Sequence, residues 1–427
     1  MPPSKNIELK NKICYINLYI IQYIFVFFKF IYKRSDFLAR IGIIAEFNPI
    51  HLGHKYLIDE AKKQGEVVTV ISSNFVQRGD SAIFEKRTRT KMSLECGADL
   101  VLEMPVCYSM STAQSFALHG VNALKAVGCD CLMFGSETGE IGPLLKTAEV
   151  LLSEEFSQKL SDKLKDGVTF AAARQSAAEE CGAPKDILKG ANDNLAIEYI
   201  IAAKTVGANF KFLTVKRKGS GHDSITADSG FASASLIRER LYIGDYDFAK
   251  NYMPKEAFNL IKTDEISNIQ NIENAILAVL RTKTIDDLKN LPDISEGVEN
   301  KLFSAIKVAT TLEEVYNNVK SKRYTLARIR RLVLSAFLGI DNSFFMQKPE
   351  YIRVLGFNKT GEEILRDCRK NSEMPIILKA TEIKQLSEKA QKMFELENRA
   401  TDLYLLSLKK PQECGLEYKA NLIKTEC

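Results

Sequence analysis

His51 and His54 stand three residues apart around Leu52-Gly53, in a chain with only four histidines. Imidazoles at that spacing share a face once a helix carries them. There they can donate hydrogen bonds to the charge that develops on phosphate as an α–β phosphoanhydride bond breaks. Their setting suits that chemistry. The run Ile41–Leu57, IGIIAEFNPIHLGHKYL, passes from an apolar β-type segment ending at Phe47, through an Asn48-Pro49 turn, into a helical pattern. Backbone N–H groups and the dipole at a helix N-terminus attract phosphate, and Gly53 leaves bare backbone for a close approach. Two histidines in an ordinary βα loop are the bland alternative; the preceding strand and following helix are the context a nucleotide triphosphate site requires. His222 lies in another Gly-rich loop of the same half, Lys218–Asp223, and His119 sits in a helical stretch, where a structural role is expected.

Other segments carry weaker signals. Gly135 could let an adenine or ribose lie on bare backbone, or simply serve a turn. Asn192-Asp193-Asn194 opens a helix; capping explains it, as does an amide contact to nucleotide. Lys216-Arg217-Lys218 at a strand end suits phosphate or a solvated turn. Ser233 and Ser235 at a helix start, with Arg238 within the first turns, suit a triphosphate tail or a plain N-cap. Lys91-Met92-Ser93 matches the start of a KMSKS loop, but over three residues only, inside a helix and too early in the fold, and is set aside. The densest basic stretch, Lys320–Arg331, contains Lys322, Arg323, Tyr324, Arg328, Arg330 and Arg331 and runs into an apolar helix. It reads as an RNA-backbone stripe or as a solvated helix face.

The elements that must position these residues alternate. Strands are predicted at 41–47, 66–72, 98–105, 129–137 and 212–215, with helices at 56–63, 87–96 and 112–126 between them. Short apolar strands alternating with helices predict an α/β, Rossmann-like parallel sheet covered on both faces, with ligands beyond its C-terminal strand ends. FNPIHLGH, SSNFVQRGD, LEMP and FGSETG all fall at such ends. After about residue 245 the texture becomes helical, with a mixed segment at 351–365, so a catalytic domain over 38–245 and a mainly helical domain over 246–427 are expected.

A length of 427 residues and 45% hydrophobic content allow two cores. A net charge of +5 means that any nucleic-acid surface must come from local clustering. Nine cysteines with no CxxC and no zinc spacing predict reduced thiols in a cytoplasmic protein. Residues 13–32 are apolar and about long enough to span a bilayer, but lysines flank both sides, Lys29 lies inside and no cleavage site follows. Residues 1–37 are read as upstream sequence translated from a start placed too early, with a membrane anchor as the alternative.

EFNPIHLGH, NFVQRGD, RTKMSLECGADLVLEMP, FGSE, NDNLAIEY and KRYTLARIRR together resemble the bacterial tRNA(Met) cytidine acetate ligase family, from about Ala39 to the C-terminus. The resemblance implies a nucleotidyltransferase with a helical RNA-binding extension. ATP and acetate would give acetyl-adenylate and pyrophosphate, and the acetyl group would pass to N4 of the wobble cytidine of elongator tRNA(Met), releasing AMP. Carried over residue by residue, it puts the ATP segment on Ile44, Ala45, Glu46, Phe47, Asn48, Pro49, Ile50, His51, Leu52, Gly53, His54, Lys55, Tyr56 and Leu57. Further contacts fall on Gly135, Asn192, Arg217 and Lys218, and the family's small-residue run keeps Ser233 and Arg238. Catalysis falls to His51 and His54, with Mg²⁺ carried by the phosphates and no metal held by side chains alone. Elongator tRNA(Met) and acetate are the expected partners, without an obligate protein partner or a membrane. The rivals are a small-molecule adenylyltransferase and an RNA-binding protein with a regulatory nucleotide site.

Overall fold

Strand β1, Ala39–Ala45, is buried along its whole middle, as a strand covered on both faces must be. Helix α1, Leu52–Lys62, returns to β2, Gly65–Ser72. Then follow α2 at Lys86–Glu95, β3 at Leu100–Met104, α3 at Ala113–Ala126 and β4 at Cys131–Ser136. Helices over 141–180 intervene before α4, Ala191–Thr205, and β5, Lys211–Lys216. Helix α5 spans Ala234–Tyr242 and α6 spans Leu326–Leu338. The expected mixed segment resolves into β6, Ile352–Phe357, and a following helix at Lys359–Asn371. Helix α7, Glu388–Leu405, and β7, Ile423–Lys424, come last. These descriptions come from a computed structural model and cover residues 39–217, 230–295, 297–345 and 349–426. The N-terminal extension, Lys218 and His222 lie outside the described residues. Among the described residues no helix is long and apolar enough to cross a membrane.

The strands form an eight-stranded sheet in the order β7-β6-β3-β2-β1-β4-β5, with Ile376–Ile377 beside β6. Pairing is parallel for β1/β4, β2/β3 and β4/β5. The departure from an all-parallel sheet is β6, which runs antiparallel to β3 with Leu100 opposite Phe357. Strand β3 is buried at every residue, so an open edge there would expose apolar side chains and unpaired backbone; β6, also fully buried, covers it. Residues 40–427 thereby cluster as one compact unit.

Helix α2 explains much of its polar sequence. The Arg89 side chain is fully buried and donates to the carbonyls of Glu46, Ser72, Ser73 and Phe84 at 2.6–2.9 Å. It fastens the chain leaving β1 to the chain leaving β2. Lys86, also buried, meets Glu103 of β3, Glu397 of α7 (2.8 Å) and Glu417 (2.5 Å), while Arg353 of β6 reaches Glu103 and Glu417. The three carboxylates lie close enough to hold a metal ion, but the Lys86 ammonium sits among them and supplies the cation. This ion network ties the C-terminal segments to the sheet.

Candidate active site

The chain leaving β1 turns at Phe47, a buried residue with φ of 48°. A side chain in the left-handed region costs about 1–3 kcal/mol and persists where its surroundings fix it. Here Arg89 holds the preceding carbonyl, and the Asn48 side-chain oxygen accepts from the Ile83 N–H at 2.7 Å. His51 follows as the N-cap of α1, its Nδ1 accepting from the Gly53 N–H at 3.0 Å. His54, in the first turn, stacks on His51 with ring centroids 3.8 Å apart and 25° between planes, and the Phe47 ring packs edge-on against it at 5.1 Å. The expected first helix thus begins earlier, at Leu52, and the histidines straddle its start. Gly53 is required by His51 itself: a Cβ there would lie 2.8 Å from His51 Cε1.

These groups face a cavity of about 210 Å³. Of the segment 44–57, its lining includes Ile44, Ala45, Glu46, Phe47, Asn48, His51, Gly53, His54, Tyr56 and Leu57. Gly135, Asn192, Arg217, Ser233 and Arg238 line the same cavity. Pro49, Ile50, Leu52 and Lys55 do not; Lys55 instead pairs with Asp59 along α1. These five separate segments converge on one site at the C-terminal ends of β1, β4 and β5, whereas the LEMP strand end, 102–105, contributes no residue to its lining.

Behind the part of the wall formed by Asn192 and Arg217, the polar groups are interlocked. Glu137, just after β4, accepts from the Asn192 backbone and side-chain amides (3.1 and 2.6 Å) and from the Asp193 N–H at 2.7 Å. The Asp193 carboxylate in turn accepts from the Glu137 N–H at 2.9 Å. Helix α4 has no N-cap side chain of its own, so Glu137 caps it from another element. Burial raises the Glu137 carboxyl, but the hydrogen bonds from Asn192 and Asp193 outweigh it and hold it below its ordinary value. Arg217 donates to Asn192 Oδ1 at 3.0 Å. Arg238 donates to the Asn48 carbonyl at 2.7 Å, joining α5 to the histidine loop, and Ser233 caps α5 through the Leu236 N–H.

The NFVQRGD segment forms a small antiparallel hairpin, Phe75–Val76 with Asp80–Ser81. Its Gln77 N–H donates to Glu46 Oε1 at 2.9 Å, and Gln77 and Arg78 join the cavity wall. Gly79, at φ of 72°, lets the turn press onto α6: a Cβ would lie 2.5 Å from Arg330 Cβ. Arg331 of α6 donates to the Gln77 carbonyl at 3.2 Å and pairs with Asp293 at 3.1 Å. Arg328 donates to the Asp293 carbonyl, and Arg330 lies over the Tyr316 ring. Tyr324 is buried, with Lys301 and Arg328 over its ring. The basic stretch is thus divided: Lys320, Lys322 and Arg323 are exposed, while Arg328 and Arg331 turn to Asp293.

Sequence reasoning singled out the NFVQRGD loop without assigning Gln77 or Arg78, and it missed Tyr199, whose hydroxyl lies 3.4 Å from the Ile44 carbonyl in the cavity wall. The position of the loop at a strand end was the available signal for Arg78; nothing local marked Tyr199. The sole carboxylate of the described cavity lining is Glu46. One carboxylate suits a Mg²⁺ ion held chiefly by phosphate oxygens and water.

A family model described as HIGH nucleotidyl transferase matches residues 38–418. The tRNA(Met) cytidine acetate ligase of Thermoanaerobacter sp. (strain X514) is 39% identical over 400 residues, covering 90% of this chain and 99% of that protein. The protein of that name from Acetivibrio thermocellus is 33% identical over 410 residues, with the same coverage. Two crystal structures of Thermotoga maritima TmcAL, apo and bound with alpha-thio ATP, superpose with TM-scores of 0.85 and 0.83 at 28% identity, over 91% of this chain and all of theirs. With its stacked histidine pair at a helix mouth and likeness along nearly all of residues 38–418, the chain belongs to the tRNA(Met) cytidine acetate ligase family of HIGH-type nucleotidyltransferases.

Proposed function

We propose that the protein is an ATP-dependent ligase that activates acetate as acetyl-adenylate and acetylates N4 of the wobble cytidine of elongator tRNA(Met). The observation that carries this reading is the His51–His54 stack at the start of α1, in one cavity with Gly135, Asn192 and Arg217, in a chain whose relatives bear that activity in their name. An acetate oxygen attacks the α-phosphorus, the α–β bond breaks and pyrophosphate departs. His51 and His54 stabilise the charge passing to the leaving group. The cytidine amine then attacks the acetyl carbonyl, AMP leaves and the amine loses a proton.

No side chain need act as nucleophile, because positioning and electrostatics supply most of the rate. The thiols agree with this: burial pushes Cys96 up to about 12 and Cys368 up to about 11, so neither is a thiolate at neutral pH. Mg²⁺, when bound, supplies charge neutralisation across the phosphates, with Glu46 the carboxylate nearest to hand. The exposed Lys322 and Arg323 meet the tRNA backbone, while Arg328, Arg330, Arg331 and Tyr324 set the shape of that surface. The division near residue 245 is functional: nucleotide chemistry before it, RNA contact after it. We place the reaction in the cytoplasm, with no protein partner and no membrane in the scheme. His51→Ala tests the reading: acetate-dependent pyrophosphate release should be lost while tRNA binding persists, and surviving release would remove the histidine from its role.

A further inference from the structure

A second and wider cavity, of about 640 Å³, lies at the other end of the sheet from the histidines. Strand pairing fixes its place. Arg89 fastens the carbonyls leaving β1 and β2 at one end, where Met104, the last residue of β3, pairs with Ser72. Phe357 pairs with Leu100 at the opposite end of β3, and Lys424 of β7 pairs with Phe357. At about 3.3 Å per residue and about 4.8 Å between strands, the cavity stands roughly 20 Å from the histidine loop.

Its lining is basic. Arg366 and Arg369 come from the helix Lys359–Asn371, Lys379 from the loop after Ile376–Ile377, Lys419 from a short helix at Leu416–Lys419, and Lys424 from β7. Glu362 is the one carboxylate of the described lining. Arg369 reaches Glu382 at 3.3 Å and Lys419 reaches Glu413 at 3.5 Å, from outside it. Even with both of those counted, five cations meet three carboxylates. Glu362, Arg366 and Arg369 share one helix face, beside the buried Leu365 and Cys368. Strand β7 is seated closely, since a Cβ on Gly356 would lie 2.9 Å from the Ile423 carbonyl oxygen; Lys424 is therefore carried on a fixed element. Tyr418 adds an aromatic ring, 56% exposed and held edge-on against Phe394 at 5.3 Å. A pocket for a small anion encloses its ligand. Here Arg366, Lys379 and Lys424 are all exposed, which suits a long polyanion running past them. An excess of exposed cations with an interleaved aromatic is the footprint of a nucleic-acid backbone.

We propose that this cavity is a second contact for the tRNA, holding backbone phosphates of the tRNA body while the wobble cytidine occupies the histidine site. This rests on the tRNA reading of the function but not on the stripe at Lys322 and Arg323.

The test is binding and acetylation of elongator tRNA(Met) by the full chain, native and with Arg366→Gln, Lys379→Gln and Lys424→Gln combined. The three side chains are exposed, so a native thermal melt is expected. Affinity should fall about 10- to 100-fold in about 0.15 M salt, and the salt slope by about 2–3, at about 0.9 per phosphate contact. ATP affinity, and kcat at saturating tRNA, should stay native. Lys379→Arg with Lys424→Arg keeps the charge and should keep the affinity. Unchanged tRNA affinity and slope, a lowered kcat at saturating tRNA, or an equal loss in the charge-keeping variant would each overturn the proposal. Loss of pyrophosphate binding with tRNA affinity unchanged would make the cavity a small-anion pocket instead. A native protein that binds no tRNA would overturn the tRNA reading itself, and this contact with it.

Discussion

Gly53→Ala separates the chemical role of the histidine loop from its structural one. The new Cβ would lie 2.8 Å from His51 Cε1 and 3.0 Å from its Nδ1. Carbon atoms rest at about 3.5 Å or more, so the ring must retreat by roughly 0.7 Å or swing away, leaving its stack on His54. Two stability effects oppose each other. Ala in place of Gly in a helix gains up to about 1 kcal/mol, and loss of the bond from the Gly53 N–H to the N-cap imidazole costs about 1 kcal/mol. They nearly cancel, so Tm should move by no more than a few degrees. Catalysis has no such compensation, since a misplacement on the order of 1 Å costs about 100-fold. Single-turnover, acetate-dependent pyrophosphate release measured beside a thermal melt reads both. A kcat within about threefold of native at unchanged Tm would refute the argument that the His51 ring position governs the reaction. A rise in ATP KM at native kcat would instead mean that Gly53 serves nucleotide access.

Replacing Lys86 by Met leaves Glu103, Glu397 and Glu417 buried around Arg353 alone; a cost of about 3–5 kcal/mol is expected in chemical denaturation. Lys322→Ala with Arg323→Ala should weaken tRNA binding and reduce the salt slope by about 1–2, without changing ATP affinity. Glu137 is held below its ordinary value in the folded state, so its contribution is full above the unfolded carboxyl pKa and is lost as pH falls through the folded one. Glu137→Gln should therefore remove the part of the acid-side stability loss that this residue carries, and should weaken ATP through Asn192 and Arg217.

What the sequence made legible is what local spacing encodes. The HxGH run between strand and helix, Gly135 near the end of β4, the Asn192 helix start and Ser233 with Arg238 are each set by neighbours within a few residues. Their convergence followed from strand-end geometry in an α/β sheet. The remainder depends on partners distant in sequence. Helix α2 displayed Lys86 and Arg89 as ordinary helix residues, because the groups they bind lie on other strands and on α7. The basic stretch was plain, but its division was not: Asp293, which draws Arg328 and Arg331 inward, stands outside any window centred on the run. Strand β6 pairs antiparallel with β3 from some 250 residues away, and no βα alternation announces such a pairing. Glu137 looked like part of a turn because the helix it caps begins beyond an intervening helical insertion.

The central claim is tested most directly by incubating the full chain with ATP, Mg²⁺, labelled acetate and either elongator or initiator tRNA(Met). Label on the elongator tRNA alone, dependent on ATP and matched by AMP and pyrophosphate, is the predicted result. AMP transferred to another acceptor with no labelled tRNA would contradict the account in favour of a small-molecule adenylyltransferase, and ATP bound without turnover would contradict it in favour of an RNA-binding protein with a regulatory nucleotide site.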